Sequence, residues 1–356
     1  MYYLKKKYIQ KYYFIVLQVK KRIMWLDAIK GYAIFMVMLS HILPYNDILG
    51  FLYSGYMPLF FISSGFTDKG DLTSMYLVKK TKRLLIPYIF YGIIGVLLFT
   101  FFKKGDVYQG GKVHEWIGLL YARFCLYPYG TINNVYFLPI ESVSALWFLP
   151  ALFCGFVSYY FLRQLNERGI PAWLLYGGAI ILTMAMYKLP ILLPWSLDIC
   201  LLIALFIFIG TKLKLYLNNY VLGWKSVLVM VFFIVVAYKN GCVNMSVRQF
   251  GCFGGQVSLF MLIIIGMMYF VSLFVLFRIL PHKIVELFAY LGRLSLRLMC
   301  IQMPLFFILS KILSHYDLNS GIWSLLMKLI AVLIIAQVLE IIFSMLKTNV
   351  RIVKYL

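Results

Sequence analysis

Ten apolar runs of membrane-spanning length follow one another along this chain. A helix that crosses the hydrocarbon core of a bilayer needs about 20 mostly apolar residues. The runs cover residues 28–45, 48–66, 84–102, 145–162, 172–188, 195–210, 226–238, 255–277, 288–310 and 323–346. Of the whole chain, 63% is hydrophobic and 13% is charged, whereas a soluble domain is about 45–50% apolar and about 25% charged. The sequence therefore predicts an all-α integral membrane protein with about ten transmembrane helices.

Basic residues set the predicted orientation of these helices. Lys and Arg number 34 against 12 for Asp and Glu. With the N-terminus placed inside, 23 of the 34 cations fall in inner segments and 8 in outer ones. Cytoplasmic loops carry this excess of cations, so both termini are predicted to be cytoplasmic. No nucleic-acid-reading motif accompanies the positive charge, and we expect no nucleic-acid partner.

The transmembrane domain is predicted to fill nearly the whole chain. The predicted division is a basic cytoplasmic arm over 1–23, a transmembrane domain over 24–346 and a short cytoplasmic tail over 347–356. The arm can lie on anionic lipid. Alternatively, Met24 is the true start of the protein, and the sequence leaves both readings open.

The six cysteines give no sign of a metal site. None of them forms a CxxC pair, and we expect neither a metal nor a redox centre. Cys242 and Cys252 share one predicted outer loop, and their spacing leaves open whether they form a disulfide.

The first apolar run carries the best candidates for chemistry. Polar groups inside a membrane are costly and therefore suggest function. Lys30 and His41 are eleven residues apart, which places them within about 20° on one helix face and about 16 Å apart along the axis. Asp27 is positioned to pair with Lys30 at i,i+3. A long ligand with an anionic head, such as acyl-coenzyme A, could contact both Lys30 and His41; a histidine satisfied by helix packing is the alternative.

Other polar residues lie at or inside the predicted spans. The basic stretch 79–83 suits phosphate binding and equally suits anchoring at the cytoplasmic surface. Ser64 lies near the end of the second span, and Trp147 lies near the beginning of the fourth. Arg293 and Arg297 share one face of the ninth span, where Arg293 can reach the membrane surface. Arg297 lies about 6 Å further in and is expected to face a polar cavity.

Five motifs in order resemble those of acyltransferase family 3, in particular the bacterial sugar O-acetylase branch with its fucose 4-O-acetylase-like proteins. The motifs are Asp27 with Lys30-Gly31 and His41, then Met57–Phe66, Lys82–Tyr88, Leu146–Leu149 and Leu291–Leu296. The resemblance covers about residues 22 to 345. Two positions depart from it, because Tyr56 and Gln302 stand where many members have histidine.

The resemblance implies an enzyme of the bacterial cytoplasmic membrane. Cytoplasmic acyl-CoA, most often acetyl-CoA, would donate its acyl group to a hydroxyl of a cell-surface or lipid-linked glycan. His41 would be the catalytic base or acyl carrier. The coenzyme phosphates would be held by Lys30, Lys82 and Arg83, and further candidates for substrate binding or transition-state stabilisation are Asp27, Ser64, Trp147, Arg293 and Arg297. The acceptor sugar and the oligomeric state stay open.

Two other functions remain compatible with the sequence. The same intramembrane charges could line the path of a transporter or flippase for a polar lipid-linked glycan, although the absence of an internal repeat argues against it. A non-catalytic membrane scaffold could keep the same fold. Dependence on an acyl donor separates both from an acyltransferase.

Overall fold

The computed structural model describes a helical chain. It describes residues 22–43, 55–70, 73, 75–102, 111–123, 125–127, 145–217, 223–241, 245, 248 and 255–346. In these ranges there are eleven α-helices, a 3-10 turn at Pro194–Ser196 and no strand. The helices are α1 Met24–Ile42, α2 Tyr56–Phe66, α3 Met75–Phe102, α4 Gly111–Tyr121, α5 Phe148–Glu167, α6 Ala172–Met186, α7 Cys200–Leu217, α8 Trp224–Asn240, α9 Gly255–Ile279, α10 His282–His315 and α11 Gly321–Leu346.

Each of the ten apolar runs overlaps one of these helices, and α4 is the additional one. Five segments are long and apolar enough to cross a membrane. They are Met75–Phe101, Pro194–Leu217, Val257–Ile279, His282–His315 and Gly321–Met345. The predicted all-helical membrane class is thus confirmed, while ten crossings and cytoplasmic termini stay predictions. The predicted N-terminal arm up to residue 21, the tail from 347, and Cys242 and Cys252 lie outside the described residues.

Apolar side chains cover the outside of the bundle as well as its core. Along α11, large side chains such as Trp323, Ile330 and Ile334 are exposed. By contrast, Ile203, Phe206 and other residues of α7 are fully buried. A soluble protein rarely exposes so much contiguous apolar surface, so α11 has the surface of a lipid-facing helix and α7 is central.

Aromatic contacts fix the relative directions of α1, α9 and α10. Trp25 packs edge-on against Phe274 of α9, with ring centroids 4.8 Å apart, and against Phe66 at the end of α2. Further along α1, Tyr32 packs against Tyr269, which precedes Phe274 in α9. The two helices are therefore antiparallel. Because only two residues join α9 to α10, α10 runs back beside α9 and is parallel to α1.

Helix α3 runs in the same direction as α1 and α10. Tyr91 lies beside Arg297 of α10, and further along α3 Phe99 stacks on Phe307, with centroids 4.4 Å apart. We call the end of the bundle where α1 begins the inner end and the opposite end the outer end. Asp68 after α2 and Lys214 near the end of α7 meet at the inner end.

Two glycines bring α1 and α10 into backbone contact. A Cβ atom added to Gly31 would lie 1.8 Å from the carbonyl oxygen of Phe288, and one added to Gly292 would lie 1.8 Å from that of Asp27. Small residues allow this close approach of two helices in a membrane protein. Gly31 belongs to the first motif and Gly292 to the motif Leu291–Leu296. These two motifs are therefore in contact through the packing of α1 on α10.

Candidate functional site

Three cations form a group at the inner end, which we call the inner basic group: Arg22, Lys30 and Arg83. The Lys30 Nζ atom lies 3.6 Å from Oδ1 of Asp27, as the i,i+3 spacing predicts. This distance is an ion pair but exceeds that of a good hydrogen bond. Arg22 and Arg83 lie within electrostatic range of Lys30. Both arginines are exposed and Lys30 is half-buried, so the group offers donors to an anion.

Lys82 is the one predicted phosphate-binding residue that does not join this group. Neighbouring residues on a helix point about 100° apart. Arg83 faces Lys30, whereas Lys82 is exposed and has no recorded interaction with Lys30 in the described part of the chain. Lys30 and Arg83, from different helices, are therefore within electrostatic range of each other, and Lys82 is not recorded as part of this group.

A buried aspartate at the inner end fixes the beginning of α3. The Asp68 carboxylate accepts hydrogen bonds from Nζ of Lys80 at 2.9 Å, the hydroxyl of Tyr76 at 3.1 Å and the backbone N–H of Gly70 at 3.1 Å. Its carbonyl oxygen accepts a longer bond of 3.4 Å from Lys214 of α7. These bonds tie α3 to α7. Lys80 lies about one helical turn before Arg83 in α3. Asp68 therefore positions Arg83 indirectly.

Sequence reasoning missed Asp68. Its spacing from Gly70 is a local turn signal, since Asp side chains accept bonds from the backbone two residues on. Its partners in α3 and α7 lie 12 and 146 residues away. No local pattern in the sequence could have identified them together.

His41 lies in the last turn of α1, at the other end of the face that carries Lys30. Its side chain is exposed. Among the described residues no hydrogen bond to the ring is recorded, which leaves its nitrogens available to a ligand. This differs from a histidine satisfied by packing.

Arg297 forms an ion pair with Glu340 of α11. Its guanidinium lies 5.6 Å from the centre of the Phe343 ring. The Nε atom is buried and has no hydrogen-bond partner in the described part of the structure. The polar neighbour of Arg297 is thus an acid from another helix, and a polar cavity around this residue stays a prediction. Stabilisation of negative charge by Arg297 stays a prediction.

The remaining predicted site residues do not converge on one point. Ser64 lies near the inner end of α2, where its carbonyl accepts a bond from Thr67. Arg293 is exposed beside the ring of Tyr290 in α10. Trp147 is buried directly before α5, at the outer end. Roles for these three in the site stay predictions.

The two positions that depart from the family pattern differ in their surroundings. Tyr56 is half-buried at the beginning of α2. Gln302 is fully buried in α10, where its Nε2 lies 3.6 Å from the sulfur of Met299. Neither residue supplies an imidazole, so His41 is the only histidine in the matched motifs.

A buried charged cluster lies at the outer end, formed by Asp198, Arg123 and Arg248. We call it the outer charged cluster. Asp198 Oδ1 accepts from Arg123, and Oδ2 accepts from Nη2 of Arg248 at 3.0 Å. The two arginines also donate to backbone carbonyls of Tyr187, Leu189, Ile191 and Leu193. All three side chains are at most 3% exposed, so the cluster joins three chain segments without access to solvent.

The described cysteines are buried, and no metal cluster accompanies them. Cys125, Cys154, Cys200 and Cys300 are free thiols. Burial raises the pKa of the Cys125 thiol, in the segment after α4, to about 11, so it stays neutral and unreactive. Among the described residues no three His, Cys, Asp or Glu side chains stand close enough to hold a metal ion.

The fold and the site together define a polytopic helical protein with an accessible histidine on the helix face that also carries a basic inner site. A family model described as an acyltransferase domain matches residues 23–344. This match covers most of the chain, and the protein belongs to acyltransferase family 3. It is therefore an acyltransferase, and the resemblance read from the motifs is confirmed at the level of the family. No curated protein and no solved structure matches the chain.

Proposed function

We propose that the protein transfers an acyl group, in the first place acetyl, from cytoplasmic acyl-CoA to a hydroxyl of a cell-surface or lipid-linked glycan, in the cytoplasmic membrane of a bacterium. One observation carries the proposal. Arg83 lies within electrostatic range of Lys30 at the inner end, and His41 lies on the same face of α1, about 16 Å further along.

The shape of the donor fits this arrangement. Coenzyme A carries its phosphates at one end and its thioester at the end of an extended arm. Exposed arginine and half-buried lysine donors bind phosphate oxygens by charge-assisted hydrogen bonds. An arm lying along α1 from the inner basic group would bring the thioester towards His41. The donor would then enter from the side to which the charge bias assigns the inner end.

His41 is the residue proposed to move the proton. Its neutral imidazole takes the proton of the acceptor hydroxyl as general base. The acceptor oxygen attacks the thioester carbonyl carbon, a C–O bond forms and the C–S bond breaks. The coenzyme thiolate then receives the proton from the imidazolium. A variant of this route carries the acyl group on the His41 nitrogen before it reaches the acceptor.

Label transfer in membranes tests the proposal. Membranes that contain the full-length chain and the cell's own glycans receive acetyl-CoA with a labelled acetyl group. We expect label on glycan with the wild type and a loss of at least about 100-fold in His41→Ala, the usual size of a general-base contribution. His282→Ala is the matched control, because that histidine is exposed at the beginning of α10.

Each contrary outcome has a definite meaning. Full transfer by His41→Ala, at equal protein abundance, removes the role of His41. No transfer by the wild type from acetyl-CoA or from longer acyl-CoA donors contradicts the proposed donor. Glycan that crosses the membrane without gaining an ester would instead indicate a transporter.

A further inference from the structure

The buried hydroxyl of Tyr91 in α3 is a polar group that the reaction described above does not use. Tyr91 is 5% exposed, and its hydroxyl has no hydrogen bond of good geometry within the described residues. A buried polar group left without a good hydrogen bond destabilises the fold. Such groups in membrane helices are retained where they serve a function or meet a ligand.

The neighbours of this hydroxyl are known from the packing of α3 against α10. Arg297 of α10 lies within hydrogen-bonding reach of the Tyr91 hydroxyl, although not at good hydrogen-bond geometry, and Cys300 lies within electrostatic range. The ring of Phe90 packs edge-on against Tyr91, with centroids 5.2 Å apart. Arg297 is itself held by Glu340 and has a buried Nε without a partner. Two hydrogen-bond donors with unused capacity therefore stand side by side in apolar surroundings.

Helix geometry gives the position of these donors along the bundle axis, which we call their level. Arg83 and Lys30 lie near each other, and α3 is parallel to α1, so the two residues mark a common level. Tyr91 follows Arg83 by eight residues and His41 follows Lys30 by eleven. At 1.5 Å per residue the displacements are about 12 Å and about 16 Å. Tyr91 thus lies within about 4 Å of the level of His41 along the bundle axis.

The same residues lie on helices that pack on α10. Arg83 and Tyr91 differ by about 80° around α3; the first lies near Lys30 of α1 and the second near Arg297 of α10. Helices α1 and α10 contact each other directly through Gly31 and Gly292. The three helices therefore carry cations at the inner end and the tyrosine hydroxyl further out.

We propose that Tyr91, together with Arg297, donates hydrogen bonds to the thioester carbonyl oxygen of the acyl donor and stabilises the negative charge that develops there. The inference rests on the proposed acyl-CoA reaction and adds a catalytic residue to it. As the acceptor oxygen attacks the carbonyl carbon, the C=O electron pair moves onto the oxygen between the two donors. It returns when the C–S bond breaks, so neither donor loses its proton overall.

Kinetics of Tyr91→Phe test this role. Removing one donor to a developing oxyanion lowers kcat by about 100-fold to 1,000-fold. We expect a loss of that size with KM for acetyl-CoA nearly unchanged. The affinity for a non-reactive thioether analogue of acetyl-CoA is also expected to stay within about two-fold, because the proposed bond strengthens only as charge develops.

Tyr88→Phe provides the matched control. Tyr88 lies about one turn earlier in α3, is equally buried, and donates its hydroxyl proton to the carbonyl oxygen of Leu119. Its loss is expected to lower thermal stability and to leave kcat per folded molecule within about two-fold. Combining Tyr91→Phe with Arg297→Gln is expected to cost less than the product of the single losses, since both donors serve one oxygen.

The outcomes separate this inference from the proposed function. A wild type that transfers acyl groups while Tyr91→Phe retains its kcat contradicts the inference alone. So does a variant whose loss lies entirely in analogue affinity. A wild type that transfers no acyl group from any acyl-CoA contradicts the proposed function and this inference with it.

Discussion

The inner basic group and the outer charged cluster lie at opposite ends of the bundle and both contain more cations than anions. In the outer cluster, Asp198 and four backbone carbonyls accept from two arginines, and every side chain is buried. Beside the inner group, Asp27 stands 3.6 Å from Lys30, and both arginines are exposed. The first arrangement is satisfied internally, whereas the second leaves donors for a ligand.

In this protein the environment of a charge, more than its sign, separates a structural role from a functional one. A buried charge must have its hydrogen bonds met within the fold, and the outer cluster meets them. A site for an anionic ligand must keep donors that the fold itself does not use. The inner group meets that condition, which makes the comparison open to direct test.

The largest expected effect comes from breaking the outer charged cluster. Asp198→Ala leaves two buried arginines without their acid, and losing one partner of a buried pair costs about 3–5 kcal/mol. We expect a large fall in Tm and in the amount of folded protein in detergent. Glu167→Ala is the control, because that acid pairs with Arg163 on the surface, 52% exposed. Its loss is expected to cost less than about 1 kcal/mol.

If Asp198→Ala kept its stability and lost only acyl transfer, the outer cluster would belong to the functional site and the comparison would fail.

The second effect concerns the glycine contact that aligns α1 with α10. Gly31→Val forces a side chain against the Phe288 carbonyl, where even a Cβ atom would lie at 1.8 Å. Overpacking of this kind costs about 1–3 kcal/mol, and we expect weaker acyl-CoA binding because Lys30 moves with the helix. Tm and analogue affinity are the measurements. Gly178→Ala, with nothing within 4 Å of its added Cβ, is expected to be harmless or slightly stabilising.

Unchanged analogue affinity in a folded Gly31→Val variant would show that the inner group does not depend on this contact.

The third effect concerns the cations of the inner basic group. Lys30→Ala and Arg83→Ala each remove a charge-assisted hydrogen bond worth about 1.5–3 kcal/mol, and we expect acyl-CoA affinity to fall about tenfold or more with little change in Tm. Lys225→Ala, an exposed lysine at the beginning of α8, is the control.

Lys82→Ala distinguishes the predicted phosphate site, which includes Lys82, from the inner basic group, which does not. A loss equal to that of Arg83→Ala would restore the grouping read from the sequence, and a small loss would support the grouping in the structure.

The smallest effect is the response to salt. Exposed charges are screened over about 10 Å at 0.1 M ionic strength and about 3 Å at 1 M. We expect acyl-CoA binding at the inner group to weaken several-fold over that range. The destabilisation caused by Asp198→Ala is expected to change little, since buried pairs are screened much less. Salt-independent binding would argue against an electrostatic site at the inner end.

Local sequence patterns predicted the class of fold and part of the site. Apolar runs predicted helices because a segment in lipid must satisfy its own backbone N–H and C=O groups, which a helix does internally. Helical periodicity also placed Lys30 and His41 on one face and predicted the pairing of Asp27 with Lys30. These relations hold within one element, where a fixed rise and rotation per residue determine position.

Local sequence patterns thus specified ten of the eleven described helices, the apolar surface and the common face of Lys30 and His41. The packing of the helices settled that Arg83 and not Lys82 lies within electrostatic range of Lys30, that Glu340 pairs with Arg297, and that Tyr91 faces α10. Each of these contacts joins different helices. Its existence depends on how deeply two backbones approach, which glycines such as Gly31 and Gly292 permit and no single-helix periodicity encodes.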